Sequence, residues 1–228
     1  MKQSSNMLKL AERYQKHPVL RGLIQLIPFG IGSSVDAALL TRLQNISEER
    51  TKAFFNELAE GNIVLKPELL RSEDFLHCFF ATAKAALNTR RREKIKFFAK
   101  LLKASTLSDS FSNTDEYEEY LWILDELSFR ELSILFFLDR YESQFPKTAE
   151  ENDLQRASRF WDKFTTELIE KLSIPKDEID AIMTRLNRTG CYETFVGGYT
   201  NYTGGKGKLT STYFRLKKFI QMENGNPA

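Results

Sequence analysis

The sequence predicts a mainly α-helical protein, an N-terminal helical bundle followed by a C-terminal region that adds one β-hairpin. Three observations carry this. Apolar residues recur three and four positions apart nearly everywhere up to about residue 190, the spacing of one face of a helix. Residues able to cap exposed backbone amides stand at the heads of those runs. Only one stretch, CYETFVGGYTNYTGGKGKL from Cys191, combines β-branched and aromatic residues with clustered glycines, which is hairpin chemistry.

Length and composition bound the reading. A chain of 228 residues has room for one large domain or two small ones and for a real core. Its 33 basic and 31 acidic residues leave a net charge of +2, so the whole molecule has no strong attraction to polyanions or membranes. Cys78 and Cys191 stand alone and far apart, neither a disulfide framework nor a metal cluster, and this fits a reducing, cytoplasmic setting. The opening MKQSSNMLKLAERYQKHP is charged throughout and does not read as a signal peptide.

Taken in order, NMLKLAERYQ is a first helix, stopped at His17 because Pro18 disfavours helical geometry in the residue before it. VLRGLIQLI then runs to Pro28. After a Pro-Phe-Gly-Ile-Gly corner, Ser33 or Ser34 can cap SVDAALLTRLQ, and Ser47 can open a further helix, EERTKAFFNELAE, with Phe54, Phe55 and Leu58 on one face and Gly61 at its end. Ser72 can cap EDFLHCFFATAKAAL. Thr89 can cap RRREKIKFFAKLLKAS, where Ile95, Phe98, Leu101 and Leu102 share a stripe, and these two helices read as an antiparallel pair. The serine-rich STLSDSFSNT is the candidate linker, dividing the chain into an N-terminal helical region, 1–108, and a second region, 109–228.

Beyond it, DEYEEYLWILDEL precedes SFRELSILFFLDRYE, which opens with Ser128 and Glu131 in capping-box spacing. An inserted long helix, ENDLQRASRFWDKFTTELIEKL, gathers Phe160, Trp161, Phe164, Leu168 and Leu172. Pro175 can begin the helix KDEIDAIMTRLNRT, and Gly190 can end it. The hairpin follows, then TSTYFRLKKFIQM with Thr210 or Ser211 as its cap. Two helices, a third ending in glycine, a hairpin and a closing helix make a winged-helix-like pattern. Its third helix would be DEIDAIMTRLNRT and its wing the loop around Gly197 to Gly207.

A winged helix commonly places its third helix in the major groove and its wing on phosphate or the minor groove. The matching candidates for nucleic-acid contact are Arg185, Arg188, Lys206, Lys208, Arg215 and Lys217, which with Lys218 face Glu193 alone between residues 185 and 218. Against this, Asp177, Glu178 and Asp180 stand where the third helix would enter the groove. Such acids also complement a helix dipole with no partner present. The tail therefore has two readings, double-stranded DNA or a protein as its partner. A secondary basic patch, Arg90, Arg91, Arg92 and Lys94, faces Glu93 only, and residues 115–142 carry nine acids against Arg130 and Arg140. Residues 84–103 and 115–142 are complementary in charge and suited to dock within one molecule or across a homo-oligomer.

Catalytic constellations are absent from the pattern. His77 beside Cys78 on a helix points in a different direction from it, so the two do not make a nucleophile and base. His17 precedes a proline at a helix end. FGIGSS lacks the strand before it and the Lys-Ser/Thr ending of a phosphate loop, and GGKGK lacks the helix after it. No metal-ligand spacing and no cofactor motif is present, so the expectation is a non-enzymatic protein with neither metal nor cofactor. LIQLIPFGIGSSVDAALL is apolar, but Arg21 and Arg42 flank it and Pro28 and Asp36 interrupt it, which argues for a corner between helices rather than a membrane span. The alternative is a membrane-directed effector that makes interfacial contact through residues 19–43.

The succession EDFLHCFFATAKAAL, REKIKFFAKLLKAS, YEEYLWILDELSFRELSILFFL, LNRTGCYETF and LTSTYFRLKKFI resembles the layout of bacterial abortive-infection alpha-type proteins and similar helical proteins of mobile elements. It covers roughly residues 70–220. The resemblance implies a bacterial cytosolic protein tied to phage defence, with a winged-helix-like tail and no catalytic residues to carry over. The resulting expectation is an interaction or DNA-associated protein acting through a basic winged-helix-like surface.

Overall fold

A computed structural model describes residues 37–60, 71–106, 111, 113–195 and 205–220. The protein is mainly helical, with one two-stranded antiparallel hairpin near its C-terminal end. It packs as two compact units, the first reaching Leu124 and taking in Phe219, the second spanning Asp125–Lys218. The division falls inside a helix, downstream of residue 108, because Tyr117, Tyr120 and Leu121 extend the first core. The two helices expected within residues 6–27, the corner at Pro28 and the caps at Ser33 and Ser34 lie outside the described residues.

In the first unit, α1 is Ala37–Glu60, α2 Glu73–Asn88, α3 Arg92–Ser105 and α4 Thr114–Glu126, whose last two residues belong to the second unit. α1 is one helix of 24 residues where the sequence suggests two. Ser47 does not cap; its carbonyl accepts the Thr51 hydroxyl at 2.8 Å from within the helix. Asn45, Ile46 and Ser47 are mediocre helix formers, each costing only a few tenths of a kcal/mol, and neither Pro nor Gly is present to break the run. Ser72 caps α2 as expected, its Oγ accepting the Phe75 N–H at 3.3 Å. Thr89 does not cap α3: its N–H closes α2 on the Ala86 carbonyl, and Arg91 heads α3 without a side-chain cap. The core is aromatic. Phe54, Phe55 and Phe79 stand 6.0 to 6.4 Å apart between ring centroids, with Ile95, Phe98, Leu101 and Leu102 buried from α3. Each such side chain contributes about 1.5–3 kcal/mol on burial.

In the second unit, α5 is Phe129–Gln144, α6 Asp153–Leu172 and α7 Ile179–Arg188, preceded by a 3₁₀ turn at Lys176–Glu178. Strands β1, Tyr192–Thr194, and β2, Gly207–Leu209, pair with Tyr192 opposite Leu209, and α8 runs Ser211–Ile220, its last two residues belonging to the first unit. The capping box at α5 is formed: the Ser128 N–H donates to Glu131 Oε2 at 2.8 Å and the Glu131 N–H to Ser128 Oγ at 3.2 Å. Asn152 and Gln155 build a second box at α6, which was not among the expected caps. α6 buries Phe160, Trp161, Phe164 and Leu168 at helical spacing. α5 is buried over every residue from Glu131 to Asp139, including two carboxylates. Thr210 caps α8. Gly207 is obligatory: a Cβ there would strike the Glu193 carbonyl oxygen and the Tyr192 ring across the hairpin. Residues 196–204, which hold most of the expected wing, lie outside the described residues.

Candidate functional site

The six expected nucleic-acid ligands all lie in the C-terminal unit, and none of them is without a partner. Arg185 Nε donates to Glu131 Oε1 at 2.7 Å, and Arg188 pairs with Glu126. Lys206 Nζ reaches Ser158 Oγ at 3.1 Å. Lys208 Nζ lies 2.9 Å from Asp153 Oδ2 and 3.7 Å from Glu193 Oε2, and Lys217 Nζ is 2.6 Å from Asp139 Oδ2. Arg215 is exposed on α8. Taken whole, Asp125–Lys218 contains 15 acidic and 15 basic residues. The surplus seen between residues 185 and 218 is therefore cancelled by acids from α4, α5 and α6.

The carboxylates respond to this setting. Burial pushes Glu131 up, but its hydrogen bonds with Ser128 and the Arg185 guanidinium outweigh that and hold it below the ordinary range. Hydrogen bonds from Lys147 and Lys208 hold Asp153 low, and the same contact raises Lys208. Glu142 goes the other way. Burial raises it despite the Leu209 N–H at 3.0 Å and Arg156 at 3.6 Å. α5 thus presents Glu131, Asp139 and Glu142 to α7, α8 and β2 respectively, tying the hairpin and both flanking helices to one buried rod.

The outer side of α7 does not recover a phosphate-binding face. Asp177, Glu178 and Asp180 are exposed at its start, followed by Ala181 and Thr184, while Arg185 and Arg188 are drawn toward Glu131 and Glu126.

The secondary basic patch is differently placed. Arg90, Arg91 and Arg92 are exposed at the head of α3, whereas Lys94 is 6% exposed, with its ammonium 5.4 Å from the Phe98 ring centroid, and is not part of the surface. Arg90 and Arg92 line a groove of about 800 Å³ between α1 and α3, together with Lys52, Arg50, Glu49 and Asn56, over Ile46, Ala53 and Ile95. Arg50 is anchored on the Leu87 carbonyl at 2.6 Å. Neither Arg90 nor Arg92 has an ion-pair partner among the described residues. On the same unit, α4 exposes Asp115, Glu118, Glu119 and Trp122, the last 61% exposed. Sequence reasoning assigned neither the groove nor the Trp122 face. The signal for the second was available in DEYEEYLW, where acids recur three, four and seven positions around the tryptophan's side of the helix.

The reactive side chains are quiet. Burial pushes the Cys78 and Cys191 thiols each up to about 11, far from the thiolate a nucleophile or metal ligand needs. His77 pairs with Glu118 rather than with its neighbour Cys78. Among the described residues no group of three His, Cys, Asp or Glu side chains is gathered where it could hold a metal ion. Among the same residues no helix is long and apolar enough to cross a membrane. No protein-family model, curated protein or solved structure matches the chain.

Proposed function

We propose that this chain is a non-enzymatic interaction protein whose C-terminal unit is a winged-helix-like module directed at protein rather than at DNA. The order α5, α6, α7, hairpin and α8 supports the winged-helix-like reading. The observation that carries the choice of partner is the internal pairing of Arg185, Arg188, Lys208 and Lys217 with Glu131, Glu126, Asp153 and Asp139. Duplex binding draws on uncompensated cations that release counterions from the phosphates. Here each of those cations would exchange one carboxylate for one phosphate, with little net gain. Of the exposed large apolar side chains among the unit's described residues, Ile169 and Phe214, the more open is Phe214, 47% exposed on α8 beside Arg215 and Lys218, a side chain suited to an apolar contact with an acidic rim. The phage-defence setting is carried by the resemblance of residues 70–220 alone and belongs to the same proposal.

The test is fluorescence anisotropy with generic duplex DNA across a salt series. The expected outcome is no binding that depends on Arg188, Lys206 or Lys208. Salt-sensitive binding that weakens when those three are replaced by alanine would return the unit to the DNA class.

A further inference from the structure

We infer that the N-terminal unit carries both halves of a self-assembly contact, in which the acidic Trp122 face of α4 seats in the basic groove between α1 and α3 of a second copy. The inference is independent of the partner proposed for the C-terminal unit. Its grounds are charge, shape and the presence of an anchor. The groove is rimmed by three cations, Lys52, Arg90 and Arg92, against one acid, Glu49, above an apolar floor of Ile46, Ala53 and Ile95. Ile46 is 42% exposed, so part of that floor is uncovered. The α4 face has the opposite character. Glu119 and Asp115 lie one and two turns from Trp122 along one side of the helix, and Trp122 is the most exposed large apolar side chain among the described residues.

Dimensions agree. At a 1.5 Å rise per residue, Asp115 to Trp122 spans about 10 Å and Ile46 to Asn56 about 15 Å, so one helix can lie along the other with its carboxylates over the rim. Tryptophan set in a pocket and ringed by charges is the usual composition of an interface hot spot, and Arg90 or Arg92 can also cover the indole face. The occupant is a second copy because both surfaces are open on the same unit and their charges are complementary. The two patches differ, so the contact is heterologous: each copy offers one groove and one helix, and assembly continues into a ring or an open chain.

Sedimentation velocity on the full chain over a micromolar concentration series tests this directly. The expected result is concentration-dependent growth beyond a dimer at low salt, suppressed near 1 M salt, where the screening length falls to about 3 Å. Trp122→Ala weakens association about thirtyfold, as truncation of a hot-spot side chain does. Arg90→Glu with Arg92→Glu has the same effect, and Glu119→Arg, an independent surface variant, reproduces it. The decisive measurement mixes Trp122→Ala with Arg90→Glu/Arg92→Glu. One keeps an intact groove and the other an intact α4 face, so the mixture stops at a one-to-one dimer although each alone is a monomer. Thermal unfolding unchanged from the parent certifies the fold of each variant. A parent that remains monomeric overturns the inference, whether or not it takes up DNA at Arg90 and Arg92. So does a dimer that the variants leave intact, or a mixture that fails to associate.

Discussion

The two units treat charge in opposite ways. In Asp125–Lys218 three acids of α5, Glu131, Asp139 and Glu142, are buried and meet cations there, so Asp139 is 3% exposed and still ionically paired. In the first unit the core is aromatic, and the charges are displayed: arginines around a groove on one side, carboxylates around Trp122 on another. The lesson is that a basic stretch of sequence is not a basic surface. In the longer basic run, from Arg185 onward, four cations are ion-paired within their own unit. In the shorter one, Arg90 and Arg92 have no ion-pair partner among the described residues.

This contrast can be broken most severely at the Asp139–Lys217 pair. Their side chains are 5% and 20% exposed. Lys217→Ala strands a buried carboxylate, and losing one member of such a pair costs about 3 kcal/mol or more. Urea unfolding followed by circular dichroism would report it, and a loss under about 1 kcal/mol would show the pair to be solvated after all.

The next effect is smaller and has a sign that depends on pH. Glu142 is raised in the folded protein, so the native state binds its proton more tightly than the unfolded chain does. That contribution is full below about pH 4.5 and disappears as pH rises through the elevated value. Glu142→Gln keeps an acceptor for the Leu209 N–H and removes the titration. Its expected signature is a stability profile flatter than the parent's above pH 4.5. A variant that retains the parent's slope in that window would assign the slope to another group.

The smallest effect sharpens the comparison from the other side. Arg90→Ala and Arg92→Ala remove exposed cations that have no ion-pair partner among the described residues, so each changes stability by no more than about 0.5 kcal/mol. A larger loss in denaturant melts would mean that the head of α3 is tied into its own fold in the way the C-terminal cations are tied into theirs.

Local signals in the sequence were good guides and distant ones were not. Ser128 and Glu131 are three residues apart and satisfy each other, so their box could be read directly, as could Ser72 at α2, and of the two caps offered for α8, Thr210 or Ser211, it is Thr210 that serves. Ser47 and Thr89 misled because a cap residue marks a helix start only where the chain actually breaks; α1 passes through the first and α2 ends at the second. The pairing of cations was beyond any local window. Arg185 meets Glu131 across 54 positions and Lys217 meets Asp139 across 78. Complementarity between residues 84–103 and 115–142 suggested docking of the two segments within one molecule or across a homo-oligomer. Three acids of the second segment, Glu126, Glu131 and Asp139, pair with Arg188, Arg185 and Lys217, all outside the first.

The buried rod α5 also sets a schedule for synthesis. Its carboxylates leave the ribosome first, and the lysine that balances Asp139 is made 78 residues later. At about 5–20 residues per second that is an interval of roughly 4–16 s. During that interval α5 lacks three of its polar partners, Arg185, the Leu209 amide and Lys217, and so cannot be sealed in its final environment. The polar contacts that tie α5 to α7, β2 and α8 are therefore completed only once α8 has been made.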